Sequence, residues 1–153
     1  MQREGQQRWE QVVGDLAAHF RRQVVLGDGA PIGRFDQVHR HRPLVVEIHS
    51  EKFHTMPSDI ADDARRAEQL VDAGFCVVVY WEYDIWHDAR VVRESLGELL
   101  ARPHHPGLVR PTPAPYDLLP RPPRPDANID RWTSIGASGT QGCVSGRARP
   151  RRR

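Results

Sequence analysis

Apolar positions along this chain change period several times, and each change marks an element. Trp9, Val12, Val13, Leu16, Ala17 and Phe20 recur at helical spacing, which predicts an amphipathic helix over residues 8–20. Gln23–Leu26 is a short β-like run, Asp28-Gly29 signals a turn, and Ile32–Val38 follows as a second strand. The polar, proline-terminated stretch His39–Pro43 reads as a hairpin loop. It leads into a third strand, Leu44-Val45-Val46-Glu47-Ile48. Three consecutive strands of this kind predict an antiparallel meander.

The period then returns to that of a helix. After Pro57, with Ser58 or Asp59 as cap, Ile60, Ala64, Ala67, Leu70 and Val71 form an apolar stripe that stops at Gly74. Phe75–Trp81 is a continuous apolar run rich in β-branched residues, the mark of a strand buried on both faces. A strand–helix–strand connection of this length predicts that the last strand lies parallel to a neighbour through a right-handed crossover. Val91, Val92, Ser95, Leu96, Leu99 and Leu100 supply a closing helix. The predicted order is α-β-β-β-α-β-α, an α/β domain with a mixed sheet flanked by helices.

Beyond Leu100 the periodicity ends. Ten of the thirteen prolines lie after Ala101, and residues 102–153 hold ten arginines against three aspartates. Too few large apolar groups remain there to offset the entropy of ordering. The sequence therefore reads as a domain over 1–101 and a disordered Pro/Arg-rich tail over 102–153, with Leu118, Leu119, Ile129 and Trp132 as possible docking points. The small net charge of +2 hides an acidic body and a basic tail. Cys76 and Cys143 are far apart, so neither a zinc knuckle nor a disulfide framework is indicated, and a reduced, cytoplasmic setting is expected. No apolar run approaches the length of a membrane span, and the polar N-terminus does not read as a signal peptide.

Candidate chemistry centres on two carboxylates. Asp36 lies in the second strand and Glu47 in the third, so a short hairpin brings them to one edge of the sheet. Strand alternation sets Glu47 and His49 on the same face. An acid within Leu-Val-Val-x-Ile is costly unless paired, solvated or bound to a cation. Two carboxylates brought together repel, and a hard divalent ion relieves that repulsion. The competing reading leaves Asp36 at a strand end and pairs Glu47 with an arginine such as Arg34. Asp63 and Arg66 read as a helix-surface pair at i,i+3, worth a few tenths of a kcal/mol. His39, Arg40, His41 and Arg42 read as a solvated hairpin tip or a phosphate contact. Trp81–His87 reads as an aromatic cap over the core or a base-stacking surface, and His104-His105 as too isolated for a metal.

The αβββαβ order, with Asp in one strand and Glu two places before a lysine or its substitute in the next, resembles the PD-(D/E)xK restriction-endonuclease-like fold. Residues 21–100 resemble the very-short-patch-repair-endonuclease-like group within it. The pieces that match are Arg21-Arg22-Gln23, Ile32-Gly33-Arg34-Phe35-Asp36, Leu44-Val45-Val46-Glu47-Ile48, Phe53-His54, and Asp63-x-x-Arg66-x-x-x-Leu70-x-x-x-Gly74-Phe75. The resemblance implies Asp36 and Glu47 as ligands of Mg2+ or Mn2+, with the Ile48 carbonyl as a third. It implies His54 as general base or transition-state stabiliser beside the scissile phosphate. Glu10 matches the helical acid that often joins such sites. His49 stands where the superfamily usually has lysine and carries no fixed charge at neutral pH. Lys52, the only lysine, follows three residues later.

Two function classes follow. One is a metal-dependent DNA endonuclease hydrolysing phosphodiester bonds, with catalytic residues Asp36, Glu47, His49 and His54. The alternative is a catalytically inactive nuclease-fold module binding nucleic acid or a protein partner. The arginines of the tail suit salt-sensitive phosphate attraction or a protein contact in either case.

Overall fold

The computed structural model of the chain describes residues 3–114. The elements run α1 (Arg3–Val13), a 3₁₀ helix (Gly14–His19), β1 (Phe20–Leu26), β2 (Gly33–His39), β3 (Leu44–His49), α2 (Pro57–Asp72), β4 (Cys76–Trp81), α3 (Glu82–His87), α4 (Ala89–Ala101) and β5 (Gly107–Val109). The expected first helix is in fact two pieces. Gly14 takes φ +55 and ends the α-helix, the chain tightens to 3₁₀ geometry, and Phe20 belongs to β1. Two elements were not anticipated: α3 follows β4 without a loop, and β5 lies in the stretch read as tail.

One five-stranded sheet has the order β1-β2-β3-β4-β5. β1, β2 and β3 pair antiparallel, the meander the turn signals predicted. β4 then adds parallel to β3, Val45 opposite Val77 and His49 opposite Trp81, and β5 adds parallel to β4. Helices cover both faces. Leu44, Val46, Ile48, Cys76, Val78 and Tyr80 pack with Trp9, Val12 and Val13 of α1 and with Val92 and Leu96 of α4. Val45, Val77 and Val79 pack on the other side with Phe35, Val38 and Leu70 of α2. The run Cys76–Trp81 is buried at every position because it sits between these layers.

The ends of α2 decide how its side chains meet the sheet. Its N-cap is Met56, which makes no side-chain cap, and Pro57 opens the helix; neither Ser58 nor Asp59 caps it. At the other end Gly74 takes φ +95. Its N–H donates to Val71 O (2.9 Å), and that of Phe75 to Leu70 O (2.9 Å). This is the Schellman arrangement that the glycine predicted. It turns the chain directly into β4.

The fold continues past Ala101. Gly107 N–H donates to Phe75 O at 3.1 Å, and Thr112 and Ala114 are buried. Leu118, Leu119, Ile129, Trp132 and the arginines of residues 147–153 lie outside the described residues. Among the described residues, no helix is long and apolar enough to cross a membrane.

Candidate functional site

Asp36 and Glu47 meet where the β2–β3 ladder opens. Backbone pairing between these strands is limited to Gln37↔Val46 and Val38↔Val45. Beyond Gln37 the carboxylates take over the work of the missing ladder bonds. Asp36 N–H donates to Glu47 Oε2 (3.2 Å), and Ile48 N–H donates to Asp36 Oδ2 (2.9 Å). Each acid is thus held by the other strand's backbone, which satisfies amides that would otherwise be buried without partners.

β1 supplies the next contact. Gln23 Nε2 donates to Asp36 Oδ1 at 2.8 Å. Gln23 has φ +50, and the β1–β2 register passes from Arg22↔Gln37 to Val24↔Phe35 without it. Left-handed backbone costs an ordinary residue about 1–2 kcal/mol, and here it accompanies an amide aimed at the buried acid. Such strain is characteristic of sites whose geometry is over-determined by their surroundings.

α2 covers the same face. Arg66 donates to Glu47 Oε1 (3.2 Å) and to Arg34 O (3.0 Å), and stacks 4.7 Å over the Phe35 ring. Its approach needs Gly33, where a methyl carbon would lie 2.9 Å from Arg66 Nε. Arg66 also faces Asp63 Oδ1 at 3.7 Å. Asp63 Oδ2 in turn lies 2.6 Å from His54 Nδ1 and 3.7 Å from His49 Nδ1. The His49 and His54 rings stack at 4.1 Å, only 5° from parallel, and the Trp81 ring meets His49 edge-on. A continuous polar chain therefore runs Gln23–Asp36–Glu47–Arg66–Asp63–His54, with His49 beside its end.

The electrostatics follow from burial. Burial, then the neighbouring Asp36 charge, push the Glu47 carboxyl up to about 8; Arg66 pulls the other way and does not offset them. Burial, followed by the His54 charge, holds the His49 imidazole down to about 4 against the pull of Asp63 and Asp36. Arg110, beyond β5, acts on His49 in the same direction as His54. Burial alone would raise Asp63, but its hydrogen bond to His54 and the charges of His49, His54 and Arg66 together hold it below the usual carboxylate value.

The structure brings the four expected site residues into two linked groups: Asp36 with Glu47, and His49 with His54. The carboxylate pair offers hard oxygen donors of the kind Mg2+ and Mn2+ take. Among the described residues, His49, His54 and Asp63 place ligand atoms within 4.8 Å of one another. Other expectations change. The arginine on Glu47 is Arg66, whereas Arg34 offers only its carbonyl. Lys52 lies over the Phe53 ring at 5.2 Å. Glu10 is engaged by Arg22 (2.7 Å) and Gln6 (2.8 Å). The hairpin tip is partly tied down, since His39 Nδ1 accepts the N–H groups of His41 and Arg42 and Arg40 donates to Ala18 O.

Four residues at the site escaped the sequence reading: Gln23, Asp63, Arg66 and Arg110. Asp63 and Arg66 had a signal, because both belong to the matched helix pattern, but their i,i+3 spacing also suits a solvated pair. Comparison with known protein families, curated proteins and solved structures gives no match to this chain.

Proposed function

We propose that this chain is a Mg2+- or Mn2+-dependent nuclease that hydrolyses phosphodiester bonds in DNA, built on a restriction-endonuclease-like core. The observation that carries the reading is the pair Asp36 and Glu47, set side by side at the opening between β2 and β3. Two acids so placed, with Glu47 raised to about 8, form a donor set that a divalent cation would relieve. A cation bound there would polarise the phosphate and lower the pKa of a bound water.

The chain's own residues supply the rest. Asp63 accepts from His54 Nδ1–H, which fixes the tautomer and leaves Nε2 free to take a proton from the attacking water. Arg66 holds a permanent positive charge 3.2 Å from Glu47, on the face where the superfamily's lysine is replaced by His49. His49, neutral at physiological pH, serves as a hydrogen-bonding group and as the surface on which His54 stacks.

A non-catalytic, nucleic-acid-binding module is the second reading, and a specific feature favours it. Asp36 Oδ1, Asp36 Oδ2, Glu47 Oε1 and Glu47 Oε2 each already accept a hydrogen bond. Cleavage of supercoiled plasmid and of single-stranded DNA with Mg2+ or Mn2+ separates the two. Activity lost in folded Asp36→Ala and Glu47→Ala supports the nuclease. No cleavage with either ion by the native chain would rule the nuclease out.

A further inference from the structure

We propose that His49, His54 and Asp63 form a second ion site, separate from the carboxylate pair and suited to a borderline transition metal such as Zn2+. Their ligand atoms lie within 4.8 Å of one another. Both imidazoles direct Nδ1 at one oxygen, Asp63 Oδ2, at 2.6 Å and 3.7 Å. Two imidazole nitrogens and one carboxylate oxygen are the donor types of three-ligand zinc sites, in which water completes the coordination. Imidazole donors select Zn2+, Co2+ or Ni2+ over Mg2+, which prefers the all-oxygen surroundings of Asp36 and Glu47.

The donors are gathered before any ion arrives. His49 ends β3 and is fixed between the edge of Trp81 and the face of His54. The turn after β3 carries His54 back onto it, with the N–H groups of Phe53 and His54 both donating to Ser50 O at 3.1 Å. Thr55 Oγ1 closes the same turn on Glu51 O at 2.7 Å. Asp63 is set by α2, and Arg66 faces its Oδ1, leaving Oδ2 on the side of the rings. β3 and α2 fix the backbones that carry His49 and Asp63, so binding asks mainly that the His54 ring turn out of the stack to bring its Nδ1 to the same ion. His54 and Asp63 are partly exposed, so an ion can enter from solvent. The ion takes the place of the proton between His54 Nδ1 and Asp63 Oδ2, and the ring then carries its one proton on Nε2, so His54 serves as general base only while this site is empty.

Co2+ serves as the probe, added to the full chain under reducing conditions and followed by its visible absorption. We expect one equivalent of Co2+ to give a saturable spectrum of a nitrogen/oxygen site, without thiolate charge transfer, that Zn2+ displaces. His54→Ala and Asp63→Asn should each weaken Co2+ binding at least roughly tenfold, with folding checked by circular dichroism. Asp36→Asn should leave the Co2+ spectrum in place even where it removes Mg2+-dependent cleavage, which separates this site from the nuclease reading. His54→Ala, in a partly exposed turn, remains informative should Asp63→Asn fail to fold. A chain with no saturable Co2+ spectrum, or one whose spectrum survives His54→Ala, would overturn the proposal.

Discussion

Raising the pH of the ion-free protein through neutrality should weaken it, and Glu47 is the reason. Burial and the Asp36 charge lift its carboxyl from 4.5 to about 8. Between those values the folded chain holds a proton that the unfolded chain has released. For a group raised in this direction, the stabilisation is complete below about 4.5 and is lost as pH climbs through about 8. His49 acts in the opposite sense at lower pH. Its imidazole, held to about 4 instead of 6.5, favours the unfolded chain in acid, and that penalty disappears as pH rises towards 6.5. The two slopes oppose one another in mild acid, and that of His49 fades above pH 6.5, where Glu47 dominates. Each pH unit there is worth up to ~1.4 kcal/mol. Because Glu47 is already partly ionised near pH 8, the loss from pH 6.5 to 8 is on the order of 1.5 kcal/mol. The Glu47 side chain is only 11% exposed, so solvent screening takes little from this. Urea unfolding in excess chelator, at several pH values across that window, measures it. The native midpoint should fall with pH, and that of Glu47→Gln should stay level. An equal slope in both proteins, or a native midpoint that rises, would refute the reasoning.

Three further outcomes are expected. Asp36→Ala leaves the buried Ile48 N–H without its acceptor, at about 1–3 kcal/mol, whereas the exposed Gln23 amide it also frees can turn to water; Asp36→Asn keeps an acceptor and should cost less, as urea titration will show. Leu70→Ala opens a cavity between α2 and the sheet at a fully buried position and should cost about 2–5 kcal/mol; a smaller loss by the same titration would mean that α2 is loosely seated. Ending the chain after Ala101 instead of after Ala114 strips β5 from β4 and removes the buried Thr112 and Ala114. The shorter chain should have the lower Tm by scanning calorimetry, and equal Tm values would show that β5 adds nothing.

Much of the sheet was legible because burial on both faces leaves a plain mark. Leu44–Ile48 and Phe75–Trp81 are apolar at nearly every position, and the helical stripe between them could only be a crossover. Asp36 and Glu47 stood out for the complementary reason, as acids in strands that had no other use for charge. The misses have physical causes as well. β5 is three residues, Gly107-Leu108-Val109, set among prolines, and it is a strand only because β4 presents an edge to it. α3 follows β4 with no turn residue between them, so nothing in Trp81–His87 marks the change. Asp63 and Arg66 look like any exposed pair until α2 is laid across the face that carries Glu47, when they become the link between the carboxylates and His54. Gln23 stands in the matched piece Arg21-Arg22-Gln23, but nothing there gives it a role, since its backbone conformation and its bond to Asp36 arise only in the assembled sheet.

Titration of the full chain with Mn2+, with free ion followed by electron paramagnetic resonance, tests most directly whether Asp36 and Glu47 hold a divalent ion. We expect a saturable Mn2+ site that is lost in Asp36→Asn and Glu47→Gln and kept in His54→Ala. Mn2+ binding that is absent from the native chain, or unchanged in both carboxylate variants, would contradict a metal-dependent role for the pair.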